Sequence, residues 1–332
     1  MLHSLGRYDE AVAEIDAFAP IEAEVLGPRH PNTLDARGLR ALVLEFLGRY
    51  GEALAEIDAF APIQAEVLGP RHPNTLATRW LRANLLELLG RCDEALAEID
   101  AFAPIQAEEL GPRHPSTLAT RHRQASVLRA LGRHDEALVE IDAFAPIQAE
   151  VLGPRHPSTL LAQYLRATVF ESLGRYDEAL AEIDAFAPIQ AEALGPRHYY
   201  TLLTRQLRAS VLQALGRSGD ALAEIDAFAP IQAEVLGQRH PATLGNRYLR
   251  ANVLQSLWRY DEALAEIDAF APIEAEELSL RHPSTLATRR LRASVLQSLG
   301  RYDEVLAEIP IEAEVLGLRH SSMPLIRHPN GC

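Results

Sequence analysis

The sequence predicts an all-α, right-handed superhelical solenoid built from antiparallel helix pairs. An Arg-His pair recurs every 42 residues, from Arg29-His30 to Arg281-His282, and the string EIDAFAPI occurs verbatim seven times, beginning at Glu14 and last at Glu266. Within each unit, apolar residues keep the three- and four-residue spacing of helices. Self-similarity at a period of this length is typical of stacked supersecondary units, so the two domains expected from length alone are replaced by one array.

The first helix of each unit, called helix A, is best seen in the unit spanning residues 73–111. We expect it over residues 75–89, with Asn74 as the N-cap. Gly90 supplies the left-handed residue that ends the helix. Its apolar face consists of Leu76, Leu81, Ala83, Leu85, Leu86, Leu88 and Leu89.

The second helix, helix B, begins at Asp93 and Glu94, whose negative charge suits the positive end of the helix dipole. Gly111-Pro112 closes the unit. Pro104 lies inside this segment, where proline removes a hydrogen bond and clashes with the preceding turn. Helix B is therefore either kinked there, or broken with a short third helix over 104–110. We favour a kink or near-break with helical structure on both sides. The residues expected to face helix A are Ala95, Leu96, Ile99, Phe102 and Ala103.

Composition excludes several classes of protein. The 332 residues include 46 acidic and 32 basic ones, the basic residues are all arginine, and the net charge is −14. This balance disfavours binding to nucleic acid or to anionic membranes. Neither a transmembrane run nor a signal peptide is visible, and Cys92 and Cys332 cannot form a disulfide framework. We expect a soluble, cytoplasmic protein, and the arginine-only composition suggests a GC-rich, bacterial genome.

Two antiparallel helices with Gly90, Ala95 and a ring in the Cys92 column (Tyr8, Tyr50, Tyr176, Tyr260, Tyr302) resemble the tetratricopeptide repeat. The stretch LGPRHPSTLATR…LGRYDEALAEI looks like the 42-residue variety of kinesin light chains. The resemblance covers roughly residues 5–317 and implies a solenoid whose concave helix-A face binds peptides. The chain departs from the family at Arg82, Phe102, Pro104 and Trp258.

The predicted organisation has three parts. Residues 1–27 form a partial repeat, the end of a helix A followed by helix B. Residues 28–317 hold seven helix pairs, of which the last is shortened, and residues 318–332 form a non-repetitive, flexible tail. Because solenoids normally carry polar caps, we expect self-association through the uncapped N-terminal end, or a chain that is part of a longer protein.

Differences between the units concentrate on helix A, whereas helix B is almost copied. Four variable columns are separated by four, three and one residues, which places them on one face. Gly38, Leu42, Glu45 and Phe46 are the first members of the four columns. The fourth column continues from Leu88 to Ser298. The candidate binding residues are Trp80, Asn84, Glu87, His122, Ser126, Arg129, Tyr164, Thr168, Glu171, Gln206, Ser210, Gln213, Tyr248, Asn252, Gln255, Arg290, Ser294 and Gln297.

Two interpretations of these columns remain open. Drift on a solvent-exposed stripe would produce variation, but it should have touched the exposed Glu98, Asp100 and Gln106 columns of helix B as well. A constant scaffold that presents a changeable recognition surface explains variation on one face, and aromatic and arginine side chains are enriched at binding hot spots.

The recurrent arginines of helix A also allow two interpretations. Arg79 and Arg82 are neighbours on the helix and could bind acidic peptides or a terminal carboxylate through bidentate contacts. Alternatively, they pair with the recurrent Glu98 and Asp100 columns inside the scaffold, which we favour because identical repetition suits a structural role.

We expect no catalytic residue, metal or cofactor. Successive histidines of the His72 column are about 10 Å apart, the separation of packed helices, whereas zinc–nitrogen bonds measure about 2 Å. These histidines are expected to pack or form hydrogen bonds in the loops between units. Cys92 is expected to be a half-buried core residue, and no P-loop, GxSxG or HExxH motif occurs.

The leading functional hypothesis is a non-enzymatic scaffold that binds a peptide or protein segment on the concave helix-A face. One alternative is the ligand-sensing arm of a larger signalling ATPase of the STAND type, with its nucleotide-binding module outside this chain. Another is a structural protein whose nearly identical units assemble end to end.

Overall fold

The computed structural model describes residues 8–305, and within that range every regular element is an α-helix. Seven A helices and seven B helices lie wholly within residues 8–305, and residues 302–305 are helical as well. The B helices are α1 (Tyr8–Leu26), α3 (Tyr50–Leu68), α5 (Cys92–Leu110), α7 (His134–Leu152), α9 (Tyr176–Leu194), α11 (Ser218–Leu236) and α13 (Tyr260–Leu278). The A helices are α2 (Pro31–Phe46), α4 (Pro73–Leu88), α6 (Pro115–Ala130), α8 (Pro157–Ser172), α10 (Tyr199–Ala214), α12 (Pro241–Ser256) and α14 (Pro283–Ser298).

The helices fall into two compact units, Met1–Arg175 and Tyr176–Cys332. Within each unit every helix packs on the next one along the chain, and each helix A also contacts the following helix A. Short connections make the paired helices antiparallel. The predicted all-α solenoid of helix pairs is confirmed, while the proposed boundaries at residues 27 and 317 stay predictions. The predicted helix-A remnant before Tyr8, the shortened last helix B, the tail and Cys332 lie outside the described residues.

Each helix A begins two residues earlier than predicted, because histidine is the N-cap. The Nδ1 atom of His72 accepts a hydrogen bond from the backbone N–H of Asn74 at 3.2 Å. Pro73 occupies the first helical position, which its fixed φ angle and missing N–H suit. The assignment of Asn74 as N-cap was therefore wrong, since Asn74 lies inside the first turn.

The helix ends follow the predicted glycines. Gly90 ends α4 with a φ of +74°, and Gly111 ends α5 with a φ of +90°. Trp258 stands where the other units have Gly90 or its equivalent, and it keeps the same left-handed backbone with a φ of +63°. A side chain with a Cβ is strained in this region.

Helix B is continuous through its proline. Helix α5 runs from Cys92 to Leu110 with Pro104 inside it. Helical structure on both sides of Pro104 is thus confirmed, whereas the break and the separate short helix are not formed. Pro104 is exposed, so it lies away from the packed face of the helix, and the kink stays a prediction.

A column of phenylalanines forms the centre of the core. Phe102 is fully buried together with Ala95 and Ile99, as the apolar spacing predicted, and Ala103 is half-buried. The guanidinium of Arg79 lies over the Phe102 ring, 5.4 Å from its centroid, a distance at which the cation is attracted to the π-face. Equivalent pairs are Arg37–Phe60, Arg121–Phe144, Arg205–Phe228 and Arg247–Phe270.

Candidate functional site

The recurrent arginines are occupied within the scaffold. Arg79 Nε donates to Glu98 Oε1 at 2.6 Å, and Arg82 Nε donates to Asp58 Oδ1 of the preceding helix B at 2.8 Å. Arg82 Nη1 also reaches Glu98 Oε2 at 3.0 Å. In α4 these contacts join helix A to the B helices on both sides of it, which confirms intra-scaffold pairing. The Asp contact recurs at Arg40–Asp16, Arg166–Asp142, Arg208–Asp184, Arg250–Asp226 and Arg292–Asp268.

The histidine column has a capping role in every described repeat. The Nδ1 atoms of His30, His114, His156, His198, His240 and His282 accept backbone N–H groups at 3.1 to 3.3 Å, as that of His72 does. Among residues 8–305, no group of three or more His, Cys, Asp or Glu side chains could hold a metal ion. Over the same range, no helix is both long and apolar enough to cross a bilayer.

Cys92 is half-buried, as expected. Burial raises the pKa of its thiol, and the negative charges of Glu87 and Asp93 raise it further. A raised pKa leaves little thiolate, the reactive form, at neutral pH. The local electrostatics therefore oppose a nucleophilic role.

In the first unit three of the variable columns of helix A are half-buried, with Asn84 buried, whereas the fourth column (Phe46, Leu88, Ala130 and Ser172) is exposed. Trp80, His122 and Tyr164 line up in the outermost column, one from each of α4, α6 and α8. In the second unit Gln206, Tyr248 and Asn252 are half-buried, while Arg290, Ser294 and Gln297 of α14 are exposed.

Two of these columns contact each other across neighbouring A helices. In the first unit Ser126 Oγ donates to Glu87 Oε1 at 2.7 Å, and the Asn84 amide donates to Glu45. Each pair joins residues 39 apart in sequence. Part of the variation between repeats therefore occurs in hydrogen-bonded pairs of residues on neighbouring A helices, which unconstrained drift does not explain.

The direction of these hydrogen bonds reverses in the second unit. There Gln213 Nε2 donates to Asn252 Oδ1 at 2.6 Å, and Gln255 Nε2 donates to Ser294 Oγ at 2.7 Å. The earlier helix supplies an acceptor in the first unit and a donor in the second. Not every candidate residue takes part in these hydrogen bonds between A helices, because Thr168 Oγ1 donates to the carbonyl of Leu165 in its own helix.

Arg123 belongs to the candidate site although the sequence comparison did not select it. Its Nη1 atom donates to Glu87 Oε2 at 2.7 Å, and its guanidinium lies 5.3 Å from the ring centroid of Trp80. Arg123 therefore links three A-helix positions of two repeats. A signal was present in the sequence, since Arg123 is the single non-leucine residue in the column Leu39, Leu81, Arg123, Leu165, Leu207, Leu249 and Leu291.

His122 is half-buried beside Arg123. Its ring meets Phe144 edge-on with centroids 6.0 Å apart. Burial and, to a smaller extent, the positive charge of Arg123 together lower the pKa of His122 to about 4. The side chain is consequently neutral at physiological pH and acts as part of the packed wall of the face.

Comparison with known proteins identifies the repeat. The tetratricopeptide-repeat family model matches the overlapping ranges 40–99, 82–140 and 117–183. Together they extend from within α2 to within α9. The repeats of residues 40–183 are tetratricopeptide repeats. A search of curated proteins gives no match to this chain.

Solved structures support a repeat of the kinesin-light-chain-like type. A Podosopora anserina protein described as a kinesin light chain with nearly identical TPR-like repeats is 29% identical. The alignment covers 62% of this chain and 97% of that one, with a TM-score of 0.53. A tetratricopeptide-repeat protein from Parabacteroides merdae shares the fold at 16% identity, with a TM-score of 0.59 over 89% of this chain and 94% of that one.

Proposed function

We propose that this tetratricopeptide-repeat protein is a non-enzymatic interaction scaffold that binds a peptide or protein segment on its helix-A face. The observation that carries the proposal is the contrast between the two surfaces. Helix B repeats its side chains and uses them to hold the array together, whereas helix A varies the side chains Trp80, His122 and Tyr164 at one position.

The scaffold supplies rigidity to that face. The arginines of helix A form ion pairs with carboxylates such as those of Glu98 and Asp58. The hydrogen bond between Glu87 and Ser126 links one helix A to the next. A surface held in place before binding loses less conformational entropy when the ligand arrives. Aromatic side chains at the surface of such a face are typical anchors for a partner.

A peptide-display selection against the full chain tests this function. Selected peptides are expected to lose binding to the triple variant Trp80→Ala/Tyr164→Ala/Tyr248→Ala and to keep it with Trp258→Gly. The latter is the matched control, because it removes an aromatic ring that is 79% exposed outside the helix-A columns. Unchanged binding to a triple variant whose circular dichroism is native would contradict the assignment of the face.

A second candidate function, self-association, has its own observation. Phe18 in α1 is 42% exposed, whereas Phe60 in the same column of α3 is fully buried. Ile21 and Val25 extend this apolar surface with exposures of 62% and 74%. Contiguous exposed apolar surface is typical of interfaces. We propose that α1 is the contact between copies.

Sedimentation velocity over a concentration series tests this contact. The average mass of the wild-type protein is expected to rise with concentration, and Ile21→Glu/Val25→Glu is expected to abolish the rise. Val139→Glu, at a valine that is 71% exposed on α7, is the matched control and should behave like wild type. A constant monomer mass at all concentrations excludes self-association through α1.

A further inference from the structure

A cavity of about 520 Å³ lies in the first unit, between α4, the end of α5 and the start of α6. We call it the Trp80 pocket. Its volume falls within the range of pockets that bind ligands. The apolar side chains that line it are Pro73, Leu76, Ala77, Trp80, Leu110 and Ala119.

Small residues at one column open this pocket. Ala77 and Ala119 occupy equivalent positions in α4 and α6, and the next two repeats have Leu161 and Leu203 at this position. Leucine at this position is therefore compatible with the fold, and it would project three further carbon atoms into the space that Ala119 leaves. Replacing Ala119 by leucine therefore gives a variant that closes the pocket.

The indole wall of the pocket is fixed before any ligand binds. Arg123 lies over the Trp80 ring, and Glu87 fixes the guanidinium of Arg123 through an ion pair of 2.7 Å. The side chains of Arg123 and Glu87 are only 23% and 15% exposed. Partly buried ion pairs of this kind are less screened by salt than surface pairs.

A carboxylate stands beside the pocket without a cationic partner. Asp35 Oδ1 accepts a hydrogen bond from the Asn74 amide at 2.9 Å, and Asn74 lines the pocket. Among the described residues, Asp35 forms no ion pair, whereas Arg71 and Arg79 are both paired with glutamates. The charge next to the pocket is therefore negative, in a chain whose net charge is −14.

We propose that the Trp80 pocket seats one apolar side chain of a bound segment, and that Asp35 pairs with a lysine or arginine next to that side chain. This inference rests on the proposed function, because it names the class of segment that the helix-A face takes. Apolar burial supplies affinity, and the charge pairing selects basic over acidic segments.

Peptide-display selection followed by fluorescence titration tests the proposal. The chain has two tryptophans, so in a Trp258→Gly background the emission comes from Trp80 alone. Selected peptides are expected to contain an apolar residue flanked by lysine or arginine and to shift the emission of Trp80. The synthetic probe is the most enriched peptide, and its matched control replaces the flanking basic residues by glutamate.

Two variants separate the parts of the proposal. Ala119→Leu is expected to weaken binding of the basic peptide about tenfold or more by filling the pocket. Asp35→Asn is expected to remove most of the preference for the basic peptide over its glutamate control. Ala77→Leu, the other position in the column, provides a second way to close the pocket if Ala119→Leu does not fold.

The outcomes distinguish this inference from the proposed function. If the selected peptides lose binding to the triple aromatic variant but not to Ala119→Leu or Ala77→Leu, the face binds segments and the Trp80 pocket is not the anchor. Selection of acidic peptides likewise overturns the pairing with Asp35. If no peptide is selected, or if the triple aromatic variant also binds, both the function and the pocket assignment fail.

Discussion

The guanidinium of Arg123 in α6 lies 5.3 Å from the ring centroid of Trp80 in α4, and the same arginine pairs with Glu87 at 2.7 Å. This arrangement connects two repeats through Trp80 and Arg123, each of which occurs once in its column. It replaces the leucine packing found at the equivalent positions, so the energetic consequences can be tested with residues that the chain already uses elsewhere.

Replacing Arg123 by leucine is expected to lower the free energy of unfolding by about 1–2 kcal/mol, because Glu87 is left half-buried without its cation. Adding Glu87→Gln, the residue found at Gln213 and Gln255, is expected to restore about half of that loss. Urea denaturation of the single and double variants measures the coupling as a double-mutant cycle. Strictly additive effects would show that the ion pair contributes nothing.

His122 predicts a pH dependence of stability. Its pKa is lowered to about 4 by burial, whereas an unfolded histidine titrates near its ordinary value of about 6.5. As the pH falls from about 6.5 to about 4, the unfolded state binds a proton that the folded state does not, so the free energy of unfolding decreases, by about 3 kcal/mol.

The variant His122→Gln isolates this contribution, since Gln206 occupies the same column. Above pH 7 the stabilities of the two proteins should differ by a constant amount. Between pH 6.5 and 4 the wild type should lose stability faster than His122→Gln in urea denaturation. Parallel curves through that window would contradict the buried, neutral histidine.

Replacing Pro104 by alanine is expected to stabilise the protein by about 1–3 kcal/mol, because alanine supplies the N–H that the carbonyl of Asp100 lacks in a continuous helix. Pro104 is exposed, so no packing is removed. The urea midpoint of the variant measures the gain. A loss of stability would show that neighbouring repeats depend on the distortion that the proline introduces.

Trp258→Gly is expected to raise the free energy of unfolding by about 1 kcal/mol, because glycine adopts a φ of +63° without steric cost. Trp258→Ala is the control, as it removes the indole but keeps the Cβ at a positive φ. Only the glycine variant should be stabilised. Equal effects of both substitutions would attribute the change to the exposed ring.

Sequence reasoning identified the elements of this protein because their determinants are local. Pro73 and Gly90 bracket helix A, and the buried Phe102 follows from apolar spacing. The His72 cap was missed because asparagine is the commoner capping residue and stands two positions away. The Glu87–Ser126 and Arg123–Trp80 contacts were not predicted, since they depend on the register between neighbouring A helices, which no single-repeat pattern encodes.

Hydroxyl-radical footprinting of the full chain, with and without a display-selected peptide, tests whether the helix-A face is the binding surface. The helix-A face contains Trp80, Tyr164 and Tyr248, whereas Trp258 and Tyr302 are exposed elsewhere and serve as internal controls. The peptide is expected to protect the first group and to leave the oxidation of Trp258 and Tyr302 unchanged. Protection of Trp258 or Tyr302 with unaltered oxidation of Trp80, Tyr164 and Tyr248 would contradict this assignment.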